Sequence, residues 1–378
     1  MRFTRRAART SFVGQSPSAA ERRNADLFLA DLLGIPAAKQ QPAAFPVPAG
    51  TPPRQIRPVE AWAENALPEP VFPARQPGAL SGSAFMKSIW DETHPGEAAW
   101  TKREKAILAQ LQAGNMPGWL RRWVTIEVKN ASNQVAVRVL PDYLCVGDDT
   151  DFRHVPLDQH SAQRIADAFG ACLPTSKICH AIYCATPRPQ RIGKIDRDYY
   201  LPPSLRKVSK NKWAQTSTAA YDEHSVAIQA AMRARNITPG QIVAGHKKDV
   251  VIANLLHSQP NMIAFHGFYD REGYPVQPCI KAGIMDKGCN REAFTIAHPE
   301  AARFADYSQG VRLVHPVMEI DGKAKLVKEV LTDHALSKLI SMEGPIRPPR
   351  IPKAAKAFAG ESAEDDDQHR PCGCGGRK

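Results

Sequence analysis

Long apolar runs are missing from this 378-residue chain. No stretch approaches the ~20 apolar residues of a membrane-spanning helix, so the sequence predicts a soluble protein without a membrane span. The N-terminus also has no apolar region of the length that a Sec signal peptide needs. The compartment is therefore left open, and we expect a cytoplasmic protein unless another route exports it.

Common catalytic and metal-binding motifs are missing as well. The eight cysteines include no Cys-x-x-Cys pair, which argues against a structural zinc finger or ribbon. The chain has no Gly-x-x-x-x-Gly-Lys-Ser/Thr, Gly-x-Gly-x-x-Gly, Gly-x-Ser-x-Gly or His-Glu-x-x-His motif. Nucleotide-binding loops, Rossmann cofactor sites, α/β-hydrolase elbows and zincin helices therefore lose support.

Positive charge is in excess, with a formal net charge of +12. Half of that excess lies in residues 188–213, where eight Lys and Arg residues face two Asp residues, with three aromatic residues interspersed. Such a basic segment attracts polyanions, and we predict an acidic polymer or an anionic surface as the partner. A solvated loop without a dedicated partner is the alternative.

Proline and charge set the predicted domain bounds. Residues 1–84 are rich in Arg and Pro and are predicted to form a disordered arm, interrupted by a short amphipathic helix at 24–34 that is a candidate docking peptide. Residues 85–345 are predicted to form a single domain. Residues 346–378 are predicted to be a disordered tail.

Periodicity and turn signals predict an α+β domain in which helices precede a mainly antiparallel sheet. Thr101-Lys-Arg-Glu104 predicts a capping box at a helix start. The predicted helices are 101–113, 161–169, 175–184 (capped by Thr175), 221–235 and 332–341. The predicted strands are 123–128, 135–139, 242–244, 250–255, 262–268, 274–280 and 311–320, and the first two are predicted to form a β-hairpin around the polar turn 130–134.

The stretch from Gly245 to Gly310 places groups that can do chemistry inside strand-like apolar runs. Histidines, aspartates and glycines alternate there with Val, Ile and Phe, which indicates polar side chains directed into a semi-buried pocket. Two sets of residues are candidates for the chemistry of that pocket.

The first set is a thiol and a base. Cys172 precedes the helix capped by Thr175, where free amides and the helix dipole lower a thiol pKa and can bind an oxyanion. His246 begins a strand-like run and is the predicted base, with Asp306 as the predicted orienting residue. Asp249 and Gln277 are alternatives for that orienting role. A core cysteine without chemistry is the alternative interpretation of Cys172.

The second set is a metal site. Imidazole and carboxylate donors of the kind that a divalent metal such as zinc or iron accepts are supplied by His246, His266, His298 and Asp306. Their spacing is not that of a known ligand motif, so the cofactor is left open. A histidine that is merely hydrogen-bonded within the fold is the alternative for each.

The leading functional prediction is a Cys-His hydrolase that cleaves an amide, peptide or related bond of an acidic polymer, with bacterial cell wall as the first candidate. The predicted substrate-binding residues are Lys247, Lys248, Tyr269 and Tyr307. Strand alternation would direct one of the two lysines into the pocket and the other to solvent. A metal-dependent hydrolase using His246, His266 and Asp306 is the first alternative, and a non-enzymatic interaction or polyanion-binding protein is the second.

Overall fold

The computed structural model describes residues 67–91, 96–192, 215–258, 263–267, 269 and 305–352. The predicted helix 24–34, the predicted strand 274–280, His298 and most of the basic segment 188–213 lie outside these residues. The predicted arm, tail and polyanion partner therefore stay predictions.

Helices and strands alternate in an irregular order along the described chain. The helices are α1 (Gly82–Ser88), α2 (Gly96–Gln112), α3 (Gln159–Ala168), α4 (Ser176–Ala185), α5 (Thr218–Ala234), α6 (Leu255–Ser258) and α7 (Val327–Thr332). The strands are β1 (Val124–Glu127), β2 (Val135–Val139), β3 (Cys145–Gly147), β4 (Phe152–His154), β5 (Lys248–Val250), β6 (Phe265–Gly267), β7 (Gln309–Gly310), β8 (Val314–Ile320) and β9 (Lys323–Leu326). None of the helices in the described ranges is long and apolar enough to cross a membrane.

The strands form three small sheets. A four-stranded antiparallel sheet has the order β1-β2-β8-β9, and β3 and β4 form an antiparallel pair. In the third sheet, of order β6-β5-β7, β5 is antiparallel to β6 and parallel to β7. The α+β class and the mainly antiparallel pairing are thus confirmed, as is the predicted hairpin of β1 and β2.

Three predicted elements are wrong: helix 101–113 begins earlier, the range 332–341 contains after Thr332 only the 3-10 turn Ser337–Leu339, and the predicted strand 250–255 overlaps β5 only at Val250 and α6 at Leu255. Helix α2 begins at Gly96, ahead of the predicted capping box, and Glu104 instead accepts a hydrogen bond from the backbone N–H of Asp158 at 2.7 Å. Helix α7 ends at Thr332, where the predicted last helix was to begin. The carboxylate of Asp333 accepts the N–H groups of residues 335 and 336, which turns the chain there.

Packed residues lie on the outer side of both predicted domain bounds. The Phe72 ring contacts the edge of Phe169, with the centroids 5.1 Å apart, and the N–H of Val71 donates to the Phe169 carbonyl at 3.0 Å. At the other end, Ile346 and Ile351 are buried. Packing contacts therefore extend beyond residues 85–345 on both sides, with Phe72 half-buried on the first side and two buried isoleucines on the second.

Candidate functional site

Asp142 lies in the segment that joins β2 to β3, and neighbouring parts of the chain hold this segment on both sides. The segment pairs through backbone hydrogen bonds with residues 311–313. Arg312, which is fully buried, donates to the carbonyls of Leu140 at 2.8 Å and of Val243 at 2.7 Å. The backbone around Asp142 is thereby fixed next to the turn that carries His246.

Two imidazoles share the carboxylate of Asp142. Nε2 of His154 lies 3.0 Å from Oδ2, and Nε2 of His246 lies 3.1 Å from Oδ1. The three residues, named here the Asp142 cluster, are at most 1 % exposed. One candidate ligand atom from each residue lies within 4.8 Å of the others, a spacing that can hold a metal ion.

A serine of helix α5 orients His154, the last residue of β4. The backbone N–H of His154 donates to Oγ of Ser225 at 2.9 Å, and Nδ1 of the same residue lies 3.1 Å from that oxygen. Because the hydroxyl oxygen already accepts the backbone N–H, its own proton is available for Nδ1. This arrangement leaves the ring proton on Nε2, facing Asp142.

His246 follows Gly245, whose φ of 91° directs the chain into β5. Its Nε2–H donates to Asp142, while its Nδ1 is buried and has no hydrogen-bond partner among the described residues. Burial lowers the pKa of His246 to about 4, so the imidazole is neutral near pH 7. A neutral, buried ring nitrogen with a free lone pair is a potential ligand or base.

Burial alone would raise the pKa of the Asp142 carboxyl. The hydrogen bonds of His154 and His246, together with the charge that these imidazoles carry when protonated, outweigh burial and hold that pKa well below its usual range. Asp142 is therefore a carboxylate at neutral pH. The cluster combines one anionic oxygen donor group with two imidazoles.

Both predicted substrate-binding lysines point into the interior, so the predicted alternation is wrong. Lys247 is 1 % exposed and its Nζ donates to the carbonyl of Tyr307 at 2.6 Å. Nζ of Lys248 lies 2.7 Å from Oδ2 of Asp306. Burial lowers the pKa of Lys247 to about 7. A Cβ at Gly310 would lie 2.8 Å from Cβ of Lys247, so only glycine allows this packing.

The structure does not bring Cys172 and His246 together. Cys172 forms a backbone bridge with Val314 of the four-stranded sheet, and the charged groups that influence its thiol are Lys328 and Asp167. Burial raises the pKa of Cys172 to about 11, the opposite of an activated thiolate. The predicted nucleophile is a core residue of the fold.

Two of the predicted metal ligands, His266 and Asp306, have hydrogen-bond partners outside the Asp142 cluster. Nε2 of His266 lies 2.9 Å from the hydroxyl of Tyr269, and Asp306 accepts from Lys248 and Ser308. Of the predicted set, His246 alone among the described residues belongs to the Asp142 cluster. The predicted substrate aromatic Tyr307 is buried, with its ring edge-on to a histidine of α5 at 4.9 Å.

Asp142 and His154 are not among the site residues predicted from the sequence. Each carries the signal used for Gly245–Gly310, a polar residue inside an apolar run: Asp142 is the one charged residue between Leu140 and Val146. Both residues therefore carry this sequence pattern, about a hundred residues before Gly245–Gly310.

Comparison with models of protein families, with curated proteins and with solved structures gives no match for this chain.

Proposed function

We propose that the chain binds a divalent transition metal at Asp142, His154 and His246 and uses it in a hydrolytic reaction. The observation that carries the proposal is the carboxylate of Asp142 placed between two Nε2 atoms, at 3.0 and 3.1 Å, in a site without solvent contact. Two imidazoles and one carboxylate are a ligand set of metal-dependent hydrolases and of non-haem iron sites. Zinc is the first candidate, since imidazole nitrogen suits it better than it suits magnesium or calcium.

The surroundings of His154 fit this ligand set, whereas Nδ1 of His246 has no hydrogen-bond partner among the described residues. A metal-bound histidine usually has a hydrogen-bond partner at its other ring nitrogen, and Ser225 supplies that partner for His154. When Nε2 gives up its proton to bind the ion, Nδ1 must carry the proton. The Ser225 oxygen accepts the backbone N–H of His154 and, at 3.4 Å, Nε2 of Gln229, so it would exchange the long Gln229 contact for the Nδ1–H.

The low pKa of His246 also favours metal binding. A metal ion binds the neutral form of an imidazole, and the low pKa of His246 removes competition from protons down to acidic pH. Three protein ligands leave coordination positions for water, and a bound zinc ion lowers the pKa of such a water to about 7. In this proposal the negative charge of the Asp142 carboxylate would offset part of the positive charge of the metal ion.

A second candidate function needs no metal. Asp142 fixes the Nε2–H tautomer of His246, so the unpartnered Nδ1 is left as a proton acceptor, as in the Asp-His part of a catalytic triad. His246 would then be a general base. The unpartnered Nδ1 is the observation that favours this candidate.

Three further functional predictions from the sequence concern a thiol mechanism, an acidic-polymer substrate and a non-enzymatic binding role. A thiol mechanism through Cys172 is not part of the proposal, because its thiol is buried and has a raised pKa. The acidic-polymer substrate stays a prediction that depends on residues 188–213. A non-enzymatic binding protein would use the same polar interior as a structural network.

The metal proposal is tested on the purified full-length chain. We expect metal analysis after zinc reconstitution to give about one equivalent, lost in His154→Gln and His246→Gln. His266→Gln is the matched control: it alters another buried histidine from the set predicted by sequence and is expected to keep the metal. A metal-induced rise in the Tm of the wild-type chain gives a measure that does not depend on variants.

The outcomes separate the candidates. A chain that stays metal-free and shows no Tm change with added zinc, cobalt, manganese or iron(II) overturns the metal proposal and leaves His246 as a base. Loss of metal in His266→Gln together with retention in His154→Gln would return the ligands to the set predicted by sequence.

A further inference from the structure

Cys184 and His180 form a second cluster of reactive side chains, which shares no residue with the Asp142 cluster. They lie one turn apart near the end of α4, with Sγ of Cys184 3.3 Å from Nε2 of His180. Cys184 is exposed, whereas the other cysteines in the described ranges are buried: Cys145, Cys172 and Cys179. Cys184 is therefore the cysteine of the described chain that a dissolved reagent can reach.

A chain of hydrogen bonds leads from this pair into the interior. Nδ1 of His180 lies 3.4 Å from the hydroxyl oxygen of Tyr269, and that oxygen lies 2.9 Å from Nε2 of His266. Burial raises the pKa of Tyr269 well above its usual value and lowers that of His266 to about 3. At neutral pH Tyr269 therefore keeps its proton, and the shorter of its two contacts, to Nε2 of His266, favours donation to that nitrogen.

This direction of donation favours one tautomer of His180. Since the Tyr269 hydroxyl proton points to His266, its oxygen accepts the Nδ1–H of His180. Nε2 of His180 then carries a lone pair that faces the thiol of Cys184. A nucleophile, a base within contact distance and a third group that orients the base are the parts of an activated thiol.

The orienting residue is held firmly. The ring of Tyr269 stacks on that of Tyr183, with centroids 3.6 Å apart and planes 4° from parallel. The backbone N–H of Tyr269 also donates to the carbonyl of Gly245 at 3.1 Å. His180 thus faces a fixed oxygen on one side and the thiol on the other.

Arg191 sets the charge of the site. Its guanidinium lies 4.8 Å over the Tyr183 ring and donates to the carbonyls of Cys184 at 2.9 Å and Thr186 at 2.8 Å. The end of a helix carries a partial negative charge, which opposes a thiolate. The guanidinium offsets that charge beside the backbone of Cys184, and, after burial, it also lowers the pKa of His180, which keeps the imidazole in its neutral, proton-accepting form.

We propose that Cys184 is a nucleophilic thiol, with His180 as its base, that exchanges with disulfides and prefers those bearing carboxylates. The helix end presents carbonyl oxygens, whereas acyl transfer needs N–H donors for an oxyanion, so the site suits disulfides better than esters or amides. His180 takes the thiol proton and Sγ attacks one disulfide sulfur. The disulfide bond breaks, and the leaving thiolate departs with the electron pair and takes the proton from His180.

The test follows labelling of the full-length chain by dithiobis(nitrobenzoate), an aromatic disulfide with two carboxylates, and assigns the labelled cysteine by peptide mass spectrometry. Cys184 is expected to react first, and at least about tenfold faster than the thiol of an unstructured cysteine peptide. His180→Ala is expected to lower that rate by at least about tenfold, the effect of losing a positioned base. Tyr269→Phe is expected to give a smaller decrease, because the base stays but loses its orienting oxygen.

The charge preference has its own control. Arg191→Gln is expected to slow dithiobis(nitrobenzoate) by roughly threefold or more while changing the rate of neutral dithiodipyridine less. Arg188→Gln removes the same charge from an exposed side chain nearby and is expected to leave both rates within about twofold.

First labelling at another cysteine, or a Cys184 rate no faster than that of the peptide, overturns the nucleophile assignment. Equal effects of Arg191→Gln on both reagents overturn the carboxylate preference.

Discussion

Asp142 and His246 are 104 positions apart in the chain, yet Oδ1 of the first lies 3.1 Å from Nε2 of the second. The other carboxylate oxygen of Asp142 is engaged by His154. A single buried carboxylate therefore ties together the β2–β3 connection, the end of β4 and the turn before β5. Its removal should affect folding as well as any metal.

Asp142→Asn is expected to destabilise the chain by about 3–5 kcal/mol, since it removes one partner of a buried charged network. The amide that replaces the carboxylate has one oxygen and one NH2 group. Its NH2 group would therefore point a donor at the Nε2–H of one of the two histidines, which is also a donor. Urea unfolding measures the change. The control is Asp167→Asn, which alters the exposed ion pair with Arg350 and should change stability by at most about 1 kcal/mol. Equal effects of the two substitutions would mean that the Asp142 cluster does not stabilise the fold.

The low pKa of His246 predicts acid sensitivity. The imidazole binds a proton at an ordinary pKa of 6.5 when the chain is unfolded, but only near pH 4 when it is folded. Between these values the unfolded state binds more protons, so stability falls as pH falls, by up to about 1.4 kcal/mol per pH unit. Above about pH 6.5 this contribution is constant.

Urea unfolding of wild type and His246→Gln, in the presence of a chelator, checks this sign. Glutamine does not titrate, so the stability of the wild type relative to the variant should decrease as the pH is lowered from about 6.5 to about 4. Curves that stay parallel over this range would show that His246 titrates normally in the folded state.

Local structure was largely predictable from the sequence where a single segment carries its own signal. The hairpin of β1 and β2 follows from alternation around a polar turn, and Thr175 caps α4 by accepting the N–H of Ile178 at 3.2 Å. The capping box at Thr101 failed because the same residue pattern also occurs inside a helix. Glu104 is directed to Asp158 instead, a contact that depends on tertiary packing.

The candidate site was only partly predictable. His246 was identified because it stands among apolar residues, but its partners come from two segments about a hundred positions earlier. Sequence spacing carries no information on which strand ends meet, and a polar residue inside an apolar run does not name its partner. Cys184 was overlooked for a different reason: its base lies four residues before it on one helix, but the orienting Tyr269 comes from a distant segment.

Arg312 is expected to be essential to the fold in a way that lysine cannot replace. Its guanidinium donates to two carbonyls and lies 4.4 Å over the Tyr143 ring, in a position without solvent exposure. Lysine has one nitrogen and cannot reach both carbonyls from one position. We expect Arg312→Lys to destabilise the chain by about 3 kcal/mol in urea unfolding, since a buried carbonyl loses its donor.

The control for this change is Arg350→Lys, at a position 40 % exposed on its side chain. It should alter stability by at most about 1 kcal/mol. An Arg312→Lys variant as stable as this control would show that neither carbonyl depends on the guanidinium.

Glu104 is expected to destabilise the fold increasingly as the pH rises. Burial, assisted by the nearby charge of Asp158, raises its pKa from 4.5 to about 8. Between these values the unfolded chain has lost the proton that the folded chain retains, so stability falls with rising pH by up to about 1.4 kcal/mol per unit.

Glu104→Gln keeps the oxygen that accepts from Asp158 and does not titrate. The variant should therefore be nearly as stable as wild type near pH 4.5 and should gain stability relative to wild type as the pH rises towards 8, as measured by urea unfolding. Glu329→Gln, which alters an exposed glutamate of α7, is the control for charge removal. If the advantage of Glu104→Gln did not grow with pH, the carboxyl would already be ionised in the fold, with a partner for its second oxygen.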